Sequence, residues 1–349
     1  MTALTQPGDS WTMGRSALVV LGLSWVVAGC SNQKKANDGI IGITPEYETA
    51  DKEAPAVQEK GPDADVVYKA AREFTGYRAA DDRSFSRESF LTHLAAADAI
   101  CIGEQHGQAL DHYAELAIVE GLLERRAMRG FQLAVGLEMV RSKYQGALDA
   151  FSRDALSLER FERNSAWREE WGFPLQYYAP VLEALRDAGG NGLALGVDRA
   201  LSGAVADRGL AGLTLVETRK LPDLDMAQTE HRELFDSMME GHPPGNLEQM
   251  YEAQVVWDEM MADRSAGFLK SHAPGRKLVV LAGAVHCHRL AIPSRIERRG
   301  RFVTVSVMPV VGQPVKGGKD TPEQRLAAGY DYELVFADAP AADEPAADE

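Results

Sequence analysis

Two short stretches of this chain place a histidine three residues after a glycine at the end of an apolar run. The first is Asp98-Ala-Ile-Cys-Ile-Gly-Glu-Gln-His106, which adds Glu104 between the glycine and the histidine. The second is Leu278-Val-Val-Leu-Ala-Gly-Ala-Val-His-Cys-His288. Imidazoles and carboxylates so placed can ligate a metal, move a proton or orient a small ligand. With 32 Gly and 8 His in 349 residues, chance supplies roughly 0.7 such Gly-x-x-His patterns. The weight therefore lies in the context, an apolar run that suits a buried strand, followed each time by a helical pattern. Glu138 closes a third run of the same kind, residues 131–137, where a charge without a partner is costly. A salt bridge to Arg141 or Arg199 is the structural alternative for it.

The elements needed to position these residues follow from the same patterning. Strands are expected over residues 98–102, 131–137, 193–197, 277–282 and 302–308, with edge strands at 66–68 and 333–336. Helical spacing runs through residues 86–97 and 108–129, through most of 143–189 and 200–271, and again after Pro293. Met250, Ala253, Trp257 and Met261 form a stripe that reads as core, or as a wall against an apolar ligand. Strands alternating with helices predict an α/β fold with a mostly parallel central sheet flanked by helices. The long helical insertions, about 143–190 and 200–271, predict a helical layer or cap over the carboxyl edge of the strands. Ligands bind at that edge in open α/β sheets, so Glu104, His106, Glu138 and His286 are expected to share one pocket. His288 is read as an exposed residue beginning the next helix.

Residues 1–29 read as an export signal, with Arg15 before the apolar run 17–28. The run ends Val27-Ala28-Gly29-Cys30, which resembles the bacterial lipobox and implies lipid attachment to Cys30. Ser31 after it resembles sorting to the outer membrane in a Gram-negative source. Residues 30–65 are polar and proline-punctuated and read as a flexible tether. Residues 337–349 repeat Pro-Ala-Ala-Asp-Glu and read as a disordered acidic tail. The net charge of −15 is partly carried by these segments, and no basic stripe points to nucleic acid. Residues 66–336 remain for the α/β domain. With Cys30 set aside, Cys101 and Cys287 flank the two Gly-x-x-His patterns. Residue type favours two small buried hydrophobes; a disulfide or a soft-metal site is open if the two strands are neighbours.

Several motifs, in order, resemble the ChaN-like haem-binding lipoprotein family. They are Ile102-Gly-Glu-Gln-His-Gly107, Val135-Gly-Leu-Glu-Met139, Trp167-x-x-x-Trp171-Gly-Phe, Tyr178-Ala-Pro180, Gln254-x-x-Trp257-Asp258 and Leu281-Ala-Gly-Ala-Val-His286. The wider group includes Tiki/TraB and erythromycin-esterase-like proteins. The resemblance implies haem binding for iron acquisition, held across a homodimer, on a lipid-anchored protein of the bacterial envelope. Tyr144, Tyr177, Tyr178 and Tyr251 are all candidates for the haem-ligand tyrosine. It also carries Glu104, His106, Glu138 and His286 over as candidate ligands of a divalent metal. The alternative function is a metal-dependent hydrolase that activates water, with Glu104 and Glu138 in proton transfer and Arg199 steadying the oxyanion.

Overall fold

The computed structural model describes residues 72–240, 246–271, 275–315 and 321–336. The expected leader, Cys30, the tether, the short strand at 66–68 and the acidic tail lie outside the described residues. Among the described residues no helix is long and apolar enough to cross a membrane.

Eight strands form one sheet: β1 Phe74–Arg78, β2 Arg83–Phe85, β3 Ala99–Glu104, β4 Gln132–Arg141, β5 Asn191–Gly196, β6 Arg276–Gly283, β7 Thr304–Val311 and β8 Tyr332–Phe336. Their order is β2-β1-β8-β7-β3-β6-β4-β5. The pairs from β8 through β5 are parallel, whereas β1 joins β8 and β2 antiparallel. The hairpin β1–β2 was not anticipated from the sequence, because its strands are too short for a period to show.

The strands that carry the two Gly-x-x-His patterns are neighbours. Gly103 is in register with Ala282, and Glu104 with Gly283. Alternation along β3 sends Ile100 and Ile102 into one apolar cluster and Ala99 and Cys101 into the other, so the sheet separates two cores. Buried on both faces, the strand must be apolar throughout until its last residue.

The first core contains the helix Ala109–Arg129, which buries Leu116, Ile118 and Leu122 against Val135 and Leu137 of β4. The second contains Met261 and Ala262 of the long helix Leu247–Lys270, with Ile292 and Ile296 of the helix Ile292–Arg299. The expected helical stretch 143–189 divides into short helices, since Pro174 and the left-handed residues Asp154, Ala166 and Gly172 interrupt it. The stretch 200–271 likewise contains irregular backbone between Leu221 and Gln228.

Cys101 and Cys287 are joined in a disulfide, with Cα atoms 5.2 Å apart. The reading favoured by residue type, two separate buried thiols, is thus corrected. Adjacency of β3 and β6 is the physical reason, a relationship no local pattern reveals. His288 is corrected too. It is 4% exposed, and its ring packs so closely on Gly329 that a Cβ there would overlap it.

Candidate functional site

The site sits where β3, β4 and β6 end side by side. Glu104 is the last residue of β3 and is buried. Its Oε1 accepts hydrogen bonds from His106 Nδ1 at 2.5 Å and from the Tyr178 hydroxyl at 2.6 Å. Burial opposes the charge on Glu104, but its partners His106 and His112 outweigh that and hold the carboxyl below the usual range. The same pairing offsets the burial of His106 and raises the imidazole above its ordinary pKa.

A second imidazole–carboxylate pair stands opposite. His286, in the short helix Ala284–Cys287 after β6, directs Nδ1 to Asp258 Oδ1 at 2.6 Å. Gln254 lies 3.1 Å from the same nitrogen, and Trp257 stacks on the ring at 5.7 Å and 16°. Burial works against protonation of His286, yet Glu138 and Asp258 outweigh it and raise its pKa to about 9. Asp258 also lies 3.2 Å from Nε2 of His231.

Glu138 links the two halves. Its Oε2 accepts the Gly283 N–H at 2.8 Å, and Oε1 lies 3.6 Å from His286 Nε2. β4 runs past the expected end to Arg141, with a register shift against β5 between Leu137 and Arg141, the segment that carries Glu138. The glycines of both patterns sit in close quarters, and at Gly103 a side chain would collide with its neighbours. A Cβ on Gly283 would stand 3.1 Å from the His106 ring, and one on Gly103 would stand 2.9 Å from the Ala284 backbone.

Four expected residues, Glu104, His106, Glu138 and His286, therefore meet at one edge. Arg199 does not join them. Its guanidinium donates to the Glu170 carbonyl at 3.2 Å, as Arg141 does at 2.9 Å, and of the two it is Arg141 that feels the charge of Glu138. The four tyrosines scatter. Tyr178 is fully buried against Glu104, and Tyr251 is buried with its hydroxyl 3.3 Å from His231. Tyr177 is part-buried and stacks on His112 at 4.9 Å. Tyr144, also part-buried, borders an open groove of about 480 Å3 with Lys143, Ala147, Ala150 and Leu156.

Sequence reasoning missed the roles of Asp258, His231, His112 and Glu115. Gln254-x-x-Trp257-Asp258 was visible as a motif, but its meeting with His286 depends on how the helix Leu247–Lys270 crosses the sheet. His112 and Glu115 are three apart on one helical turn, a spacing that places both side chains on one face. Among the described residues, the trio of His and carboxylate ligand atoms that lie within 4.8 Å of one another is Glu104, His112 and Glu115. His106, His286 and Glu138 share a pocket without forming such a trio.

A mostly parallel sheet thus carries both Gly-x-x-His turns at one edge. The chain belongs to the haem-binding uptake family ChaN of the Tiki superfamily, whose model matches residues 90–296. Among solved structures, ChaN of Campylobacter jejuni, described with cofacial haem, superposes with a TM-score of 0.60 at 20% identity, covering 75% of this chain and 96% of that one. An erythromycin esterase, EreC, in its open conformation gives a TM-score of 0.39 at 16% identity, covering 72% of this chain and 79% of that chain. A Bacillus cereus protein gives 0.38 at 10% identity, covering 80% and 98%. The search of curated protein sequences gives no match.

Proposed function

We propose that this protein binds haem for iron uptake, with Tyr144 as the axial ligand. Family membership supports the ligand class. The observation that carries the residue is the placement of the tyrosines: Tyr144 borders an open groove, where its hydroxyl donates to Glu170 Oε1 at 3.4 Å, while Tyr178 and Tyr251 are buried with their hydroxyls inside the protein. The groove fits the ligand's chemistry. Ala147, Ala150 and Leu156 offer an apolar floor, a phenolate is an established kind of haem ligand, and about 480 Å3 lies within the range of small-molecule sites, roughly 300–1,000 Å3. Lys143 Nζ, 4.9 Å over the Tyr144 ring and 2.6 Å from Glu170, lines the same groove and would supply a cation for an acidic group of the ligand. The openness of the groove suits a ligand shared between two copies of the chain.

Attachment to the bacterial envelope through a lipid on Cys30 is part of the same proposal. The Cys101–Cys287 disulfide supports it, since such bonds persist in oxidising compartments. Titration of the protein with haemin tests the haem reading. A saturable Soret shift is expected, lost in Tyr144→Ala and kept in Tyr177→Ala. No saturable shift in the wild type overturns haem binding; a shift kept in Tyr144→Ala overturns the ligand.

A second reading is favoured by one observation, the two imidazoles held by carboxylates on either side of Glu138. In it Glu138 takes a proton from water, and the charged rings of His106 and His286 steady the oxyanion that forms. Hydrolysis of a panel of ester substrates that falls about 100-fold or more in Glu138→Gln would support it. Activity unchanged in that variant would dismiss it.

A further inference from the structure

Glu104, the carboxylate that holds His106, also faces two ionisable groups that neither reading uses, His112 and Glu115. Glu104, His112 and Glu115 are 2%, 3% and 0% exposed. His112 Nδ1 stands 3.5 Å from Glu104 Oε2 and 3.3 Å from Glu115 Oε2. Two carboxyl groups withdrawn from water at this spacing need a shared proton or a cation between them.

We infer that Glu104, His112 and Glu115 form a buried three-ligand site for one small divalent transition metal such as zinc. Three observations carry this. The two separations from His112 Nδ1 match a tetrahedral ion, since bonds of about 2.1 Å at the tetrahedral angle place ligand atoms about 3.4 Å apart. The carboxylates have oxygen to spare: Glu104 commits Oε1 to His106 and Tyr178, while Glu104 Oε2 and Glu115 Oε1, both buried, accept no hydrogen bond. The imidazole is already oriented as a ligand. His112 Nε2 donates to the His106 carbonyl at 3.1 Å, which leaves Nδ1 to face the carboxylates. Metal-bound histidines are held in this way, their second nitrogen tied to a carbonyl or carboxylate.

The ion would tie the end of β3 to the first turns of the helix Ala109–Arg129. The loop between them carries His106, so the site would fix the imidazole of the pocket. In the metal-free alternative a proton on His112 Nδ1 occupies the place of the ion between the same carboxylates. The inference does not depend on haem binding.

The test is metal content and zinc binding. The whole protein is stripped with a chelator and then titrated with zinc chloride by calorimetry, with thermal unfolding followed in parallel. One zinc per chain is expected, with a higher melting temperature once it binds. Glu115→Gln, near-isosteric, should lose the zinc while keeping the native circular dichroism spectrum, and His286→Ala should keep it. Wild-type protein that takes up no zinc overturns the inference. So does zinc kept in Glu115→Gln, or zinc lost in His286→Ala, which would move the ion to the open pocket. Should Glu115→Gln fail to fold, the wild-type titration and the His286→Ala variant still decide.

Discussion

The hydroxyl of Tyr178 donates to Glu104 Oε1 at 2.6 Å, across 74 residues of chain and out of contact with solvent. Trp171 Nε1, 3.3 Å away, donates to the same hydroxyl. A tyrosine so held is a support for the site. Tyr178→Phe deletes a donor to a buried charged acceptor, and a loss of about 1–3 kcal/mol is expected. Urea denaturation measures it. Haemin affinity should stay within experimental error of wild type, in contrast to Tyr144→Ala; a lost Soret shift in Tyr178→Phe would contradict the placement.

Asp258 holds His286 in the charged state together with Glu138. Asp258→Asn removes one of the two negative groups facing that ring. His286 should then titrate clearly below its value of about 9. Proton NMR of the histidine ring protons against pH follows this directly. An unchanged titration would mean that Glu138 alone sets the charge.

The disulfide closes a loop spanning 186 residues of sequence separation. Chain-entropy reasoning puts the stabilisation from closing such a loop at about 5 kcal/mol. The double variant Cys101→Ser with Cys287→Ser should unfold at a markedly lower urea concentration, by a shift of that order. Because Cys287 follows His286, the pocket should loosen as well, visible as faster hydrogen exchange in residues 283–288. A midpoint equal to wild type would contradict the bridge.

Glu333 on β8 is 2% exposed, and burial pushes its pKa up to about 7, opposed by the Val315 N–H. A carboxyl raised in the folded state binds its proton more tightly there than in the unfolded chain. Its contribution is complete below the unfolded value of about 4.3 and is lost as pH rises through about 7. Stability should fall by about 4 kcal/mol across that window from this group. Glu333→Gln should flatten the dependence, as read from urea midpoints at a series of pH values. An identical pH profile in the variant would refute the assignment.

Much of the architecture was legible in the chain itself. The apolar runs that end in Gly103 and Gly283 marked two central strands, because a strand covered on both faces must be apolar along its length. Their final residues, with Glu138 and His286, could be assigned to one edge of the sheet because parallel strands end on the same side. Strand order was not legible. Neither was the disulfide that follows from it, since Cys101 and Cys287 carry no local mark of their pairing.

The sequence by itself determined that Glu104, His106, Glu138 and His286 stand at or near strand ends, because type and period are local properties. Only the tertiary structure decided their partners. Asp258 reaches His286, Tyr178 reaches Glu104, and Arg199 turns to Glu170 through helix crossings and a register shift that depend on packing between distant segments. The same packing buries three of the site's supporting carboxylates, Glu104, Glu115 and Asp258, and leaves Tyr144 at the surface. Burial and partner together set the charge of an acid or an imidazole, and neither is written in its neighbours along the chain.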